Sequence, residues 1–198
     1  MNPLNSIVGS IVLGFIIAVA IALGIAPHQF SVLSFARWFH ILSGITWIGL
    51  LYYFNVVQTP AMARAAADKG GPGGAGVSKY VAPLALAWFR WGAVATWLTG
   101  LWYLGDSKNL PSAITLGHGG QDLYGLVIGI GAWLGTIMLF NVWVLIWPNQ
   151  KKILGIVPAT DEQKAKARKV AAMASRTNFV LSIPMLMCMA SATHGLPL

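Results

Sequence analysis

Ile7-Val-Gly-Ser-Ile-Val-Leu-Gly-Phe-Ile-Ile-Ala-Val-Ala-Ile-Ala-Leu-Gly-Ile-Ala26 runs for twenty residues without a charge. At 1.5 Å per residue, such a helix reaches about 30 Å, the thickness of a bilayer's apolar layer. No basic segment precedes it, so it reads as a retained span rather than a cleaved signal peptide. The whole chain has the same character. It is 57% hydrophobic and 9% charged, where soluble domains carry roughly 25% charged residues. So little polar surface cannot cover a water-facing globule.

Four further apolar segments follow: Phe35–Val57 with Pro60 closing it, Pro83–Leu104 with Arg90 inside it, Leu123–Trp147 with Pro148 closing it, and the shorter Asn178–His194 containing Pro184. The expected fold is therefore all-α, an integral membrane bundle of about five transmembrane helices in a single domain over 1–198. The connections set its orientation. Pro148–Thr177 holds Lys151, Lys152, Lys164, Lys166, Arg168, Lys169 and Arg176, and Ala61–Tyr80 holds Arg64, Lys69 and Lys79. Pro27–Ser34 holds no Lys or Arg, and Gly105–Asp122 holds only Lys108. The positive-inside rule then predicts the N-terminus in and the C-terminus out. The expected location is a bacterial cytoplasmic (inner) membrane, with the outer ends in the periplasm.

The net charge of +8 points to anionic lipid rather than nucleic acid, because seven of the thirteen basic residues crowd beside apolar spans between Lys151 and Arg176. Thr160-Asp-Glu-Gln163 fits a capping box. A basic cytoplasmic helix is expected over 161–176, either continuous with the fifth span or separated from it by a kink near Arg176. Gly125/Gly129 and Gly131/Gly135 have the spacing that lets helix backbones approach closely in lipid.

The four histidines are His28, His40, His118 and His194. The predicted topology puts all of them toward the outer surface, so a shared site there is geometrically possible. His40 is the most informative. Arg37, His40, Gly44 and Trp47 fall at i, i+3, i+7 and i+10, on one helical face. An ionisable residue inside a span faces protein or a cavity. An imidazole can bind haem iron through one nitrogen and donate from the other, and glycine one turn away leaves room for a flat macrocycle. The alternative is a hydrogen bond to a neighbouring helix.

His194 is the second candidate ligand. It follows Met185, Met187, Cys188 and Met189, so Cu(I) stays open beside b-type haem. Haem takes precedence because of the surroundings of His40. Covalent c-type haem is not expected, since no CxxCH is present. Arg37 and Arg90 are candidates for holding an acidic group, with Arg90 alternatively snorkelling to the cytoplasmic edge. No Asp or Glu lies in any span, which argues against a carboxylate proton relay.

Arg37-Trp-Phe-His-Ile-Leu-Ser-Gly-Ile-Thr-Trp-Ile-Gly-Leu-Leu-Tyr-Tyr-Phe-Asn-Val-Val-Gln58 resembles the membrane domain of PuuD-type urate oxidases (urate hydroxylases). So do Ala82-Pro-Leu-Ala-Leu-Ala-Trp-Phe-Arg-Trp-Gly92, Asn141-Val-Trp-Val-Leu-Ile-Trp-Pro-Asn-Gln-Lys151 and Ser175-Arg-Thr-Asn-Phe-Val-Leu-Ser-Ile-Pro-Met185. The first motif is also distantly similar to small haem-associated membrane families of the HemJ and CopD kind. The resemblance implies a polytopic membrane protein linked to urate oxidation and electron transfer to a respiratory chain. Longer members carry a cytochrome c domain after the last shared span. Here electron transfer is expected to need other membrane subunits or a periplasmic cytochrome. The alternative function is a non-catalytic accessory subunit, a scaffold within a larger membrane oxidoreductase.

Overall fold

Ser6 opens the first long helix, its Oγ accepting from the Gly9 N–H at 3.0 Å. A computed structural model describes residues 2–26 and 31–197 of the chain. Among them, five helices are long and apolar enough to cross a membrane: α1 (Ile7–Ile25), α2 (Val32–Ala67), α3 (Val77–Asp106), α4 (Leu123–Ile153) and α5 (Asp161–Ser191). No strand forms among the described residues. The chain divides into two compact units, Met1–Phe35 and Ala36–Leu198.

The first unit holds α1. Among the described residues none of α1 is buried, although all but Ser10 and its glycines are apolar. A helix that is apolar on every side is at home in lipid or against other apolar helices.

The second unit is apolar both inside and on much of its surface. Trp47 and Leu51 of α2, Phe89 and Ala93 of α3, Met138 and Val142 of α4, and Ala174 and Met185 of α5 meet in one core. Large apolar side chains such as Ile45, Leu98, Ile137 and Ile183 point outward. Several polar groups point inward and are satisfied. Asn178 is fully buried. Its Nδ2 donates to the Met138 carbonyl at 2.9 Å, and its Oδ1 accepts from Asn141 Nδ2 at 2.8 Å. Asn55 Nδ2 donates to Ser175 Oγ at 2.9 Å. These bonds tie α5 to α4 and α2 where apolar contact alone discriminates weakly between neighbours.

Two sequence expectations fail in an instructive way. Pro60 and Pro148 do not close their helices, because α2 runs on to Ala67 and α4 to Ile153. Proline in a helix interior removes an N–H, and its ring clashes with the carbonyl four residues back. Here each proline follows a π-helical stretch, Tyr53–Gln58 or Asn141–Ile146. Pro83 of α3 follows a third, Val77–Val81. The residue before each proline donates five residues back: Thr59 to Phe54, Ala82 to Val77 and Trp147 to Val142. The wider turn makes room for the ring, and the helix continues.

The capping box at Thr160 forms in full. Gln163 N–H donates to Thr160 Oγ1 at 3.2 Å, and Thr160 N–H donates to Gln163 Oε1 at 2.9 Å. From there α5 runs unbroken through Arg176, so the continuous reading holds. With 31 residues it is about 46 Å long, and it packs against Trp147–Ile153. Thr160→Ala is expected to cost about 1 kcal/mol. Hydrogen exchange of the amides at 162–164 checks it, and a roughly fivefold loss of protection is expected there.

Between α3 and α4 the chain folds back as two short turns, Leu110–Ile114 and Leu116–Gly120. The second winds left-handed through Leu116, Gly117 and His118. Glycines in α4 admit this segment. A Cβ at Gly125 would collide with Ser112 Oγ, and one at Gly129 with the Ala113 carbonyl. Gly131 instead faces Cys188 of α5. Thus the first small-residue pair seats a loop, and only part of the second pair serves helix packing.

Candidate functional site

A cavity of about 1150 Å³ opens between α2, α3, α4, α5 and the Leu110–Ile114 turn. Arg37, His40, Gly44 and Trp47 all line it, so the helical face read from spacing is the face that turns to the cavity. His194, just past the end of α5, lines it too. Of the four candidate site residues, the structure brings Arg37, His40 and His194 to one space. His118 sits in the left-handed turn, with its Nδ1 3.3 Å from Thr115 Oγ1. His28 lies outside the described residues.

His40 is held in a specific tautomer. Its Nδ1 is 2.7 Å from the Thr96 carbonyl, and a carbonyl only accepts, so Nδ1 carries the proton. In the neutral ring Nε2 then keeps its lone pair, the arrangement of an imidazole prepared to bind a metal or accept a proton. Gly100 of α3 makes this pose possible, because a Cβ there would lie 2.9 Å from His40 Cε1 and 3.0 Å from Nδ1. Thr99 Oγ1 stands 3.5 Å from the same nitrogen and donates to the Ala95 carbonyl at 2.6 Å.

The rest of the lining is mostly apolar. Trp97 Nε1 donates to Thr136 Oγ1 at 3.0 Å, joining α3 to α4 at the wall. Tyr103 and Tyr124 bring two phenols. Met185 and Met189 bring two thioethers, whereas Met187 and Cys188 do not line the cavity. Among the described residues no three of His, Cys, Asp and Glu gather to hold a metal ion.

Arg90 is elsewhere. Its Nη1 donates to the Leu86 carbonyl at 3.1 Å, and its guanidinium carbon is 3.4 Å from the centre of the Trp147 ring. The side chain folds back one turn toward the start of α3, as a snorkelling arginine does.

Outside the spans, Asp122 anchors the folded-back segment. Ser112 Oγ donates to its Oδ2 at 2.5 Å. That bond, ahead of backbone N–H groups at the start of α4, holds the carboxyl below the usual carboxylate range.

Sequence reading missed Thr96, Gly100, Tyr103 and Tyr124. A signal existed. In Thr96-Trp-Leu-Thr-Gly-Leu-Trp-Tyr103 the small or polar Thr96, Gly100 and Tyr103 recur at i, i+4 and i+7 within a bulky apolar run, marking a face that lipid does not need.

Residues 123–197 match the family model for the urate oxidase N-terminal region. Over this stretch the chain is similar to that family. The matched stretch comprises α4, the basic connection and α5, with His194 near its end. His40, Arg37 and Thr96 lie before it. No curated protein and no solved structure matches the chain.

Proposed function

We propose that this chain is a subunit of a membrane redox system that holds b-type haem in the cavity through His40, with His194 as second ligand, and passes electrons to a separate partner. The observation carrying this reading is the fixed tautomer of His40, with Nδ1–H spent on the Thr96 carbonyl and Nε2 free beside an apolar cavity. The residues fit a flat macrocycle. Gly44 and Gly135 leave the walls without side chains at two points, and Arg37 supplies a cation for the haem carboxylates. Bound haem would supply one-electron transfer, its potential set by axial ligands, polarity and burial. The chain's own part is to orient His40, exclude water with apolar walls and pair the carboxylates. A gently purified sample from a haem-replete host should show a Soret band; none would overturn the reading.

The orientation completes the proposal. With the N-terminus in and the C-terminus out, the cavity lies near the periplasmic surface of a bacterial inner membrane, within reach of a periplasmic cytochrome. A reporter that works only in the cytoplasm, fused after Leu198 (itself outside the described residues), should be silent. An active fusion would reverse the orientation. The accessory-subunit reading is favoured by one observation, the composition of α1, which is apolar on every side and suits packing against other membrane subunits.

A further inference from the structure

We infer that Arg90, Trp147 and Lys151 form a binding site for the phosphate of an anionic phospholipid at the end of the bundle away from the His40 cavity. The inference does not rest on the haem reading. Arg90 lies half-buried next to Phe89, and its guanidinium is brought against Trp147. Lys151, one turn beyond Trp147 on α4, places Nζ 5.8 Å from the same ring centre. Two cations thus stand within 6 Å of one indole. The ring's electron-rich face attracts each of them, but it cannot offset their mutual repulsion as an anion would.

No carboxylate of the described residues is there. Among the described residues the ion pair present is Lys164–Asp161 at 3.9 Å, and no carboxylate meets Arg90 or Lys151. Of the five guanidinium N–H donors, one goes to Leu86. The rest of the Arg90 fork suits phosphate oxygens, which arginine grips in pairs. Exposed apolar side chains continue along the same two helices toward the middle of the bundle. Trp91 lies beside Arg90 on α3, and Phe140 and Val144 lie on α4. A ligand with an anionic head and apolar tails matches both parts, whereas a free phosphate matches only the first. Lys152 follows Lys151 in the last turn of the same helix.

The test uses the full chain in detergent. It is titrated separately with phosphatidylglycerol, phosphatidylcholine and inorganic phosphate, and read by native mass spectrometry and thermal unfolding. Phosphatidylglycerol should bind at least about tenfold more tightly than phosphatidylcholine and raise the unfolding temperature, and inorganic phosphate should do neither. Arg90→Gln and Lys151→Gln should each weaken phosphatidylglycerol binding about five- to tenfold. Lys108→Gln, exposed just past the end of α3 and outside the basic Lys151–Arg176 cluster, should leave it unchanged. Lys151→Gln keeps the test decisive should Arg90→Gln fail to fold. Equal binding of the two lipids overturns the inference. So does equal weakening by Lys108→Gln, and so does undiminished binding in Lys151→Gln. Stabilisation by inorganic phosphate alone would replace the lipid with a soluble anion.

Discussion

His40→Ala is expected to abolish the Soret band of the purified protein, and His194→Ala to shift or abolish it. The difference follows from how each residue is held. His40 is fixed by the Thr96 carbonyl at 2.7 Å and by the space over Gly100, so its Nε2 is presented without a search among rotamers. His194 lies beyond the last turn of α5, where only backbone bonds to Ser191 are made. A less constrained ligand is more readily replaced by water or by another cavity side chain, such as Met189. Replacement would move the band rather than remove it. His118→Ala, in the left-handed turn away from the cavity, should leave the spectrum unchanged. Should the wild-type protein show no Soret band, His40 is an interhelical hydrogen-bond donor and the accessory-subunit reading leads. His40→Ala would then lower stability by about 1 kcal/mol, the worth of one such bond.

Hydropathy made the five helices legible because each is a local property of one stretch of sequence. Where the helices end was not legible. Proline reads as a stop, yet Pro60 and Pro148 lie inside continuous helices, because a π-helical turn before each ring removes the clash. That accommodation is a rearrangement of backbone hydrogen bonds and leaves no trace in side-chain periodicity. The site divides along the same line. The face of Arg37, His40, Gly44 and Trp47 was visible because it belongs to one helix. What holds His40 was not, since Thr96 and Gly100 belong to the next helix and only tertiary pairing brings them to the ring. Arg90 shows the opposite limit. Its oddity in an apolar run was plain, but its neighbour Trp147 comes from another helix, and the indole rather than the cavity claims it. The glycines of α4 misled in one respect. Spacing that suits two helices was used at Gly125 and Gly129 to admit a folded-back turn.

Gly100→Ala is expected to do more damage than Gly44→Ala, although the sequence pointed to Gly44. A Cβ at Gly44 would meet Thr96 Cγ2 at 3.7 Å, an ordinary contact. A Cβ at Gly100 would meet His40 at 2.9 and 3.0 Å, and a rigid aromatic ring packed between two helices cannot yield as the end of a flexible chain can. Either α2 and α3 separate, or the imidazole rotates away and gives up its bond to Thr96. Overpacking of this kind costs about 1–3 kcal/mol and the lost bond about 1 kcal/mol more. Gly100→Ala should therefore lower the unfolding temperature by several degrees, with Gly44→Ala close to wild type. The consequence for haem is separate and sharper. Once the ring leaves Thr96, its tautomer is no longer fixed, and its place in the cavity wall changes. Haem occupancy at equal total haem should fall at least about tenfold, corresponding to 1.4 kcal/mol of lost ligand positioning. Gly100→Ala with full occupancy and an unchanged Soret maximum would mean that His40 is not held as the iron ligand in this pose. A spectrum lost in Gly100→Ala but kept in Gly44→Ala would tie the cofactor to His40 through the α2–α3 contact over Gly100.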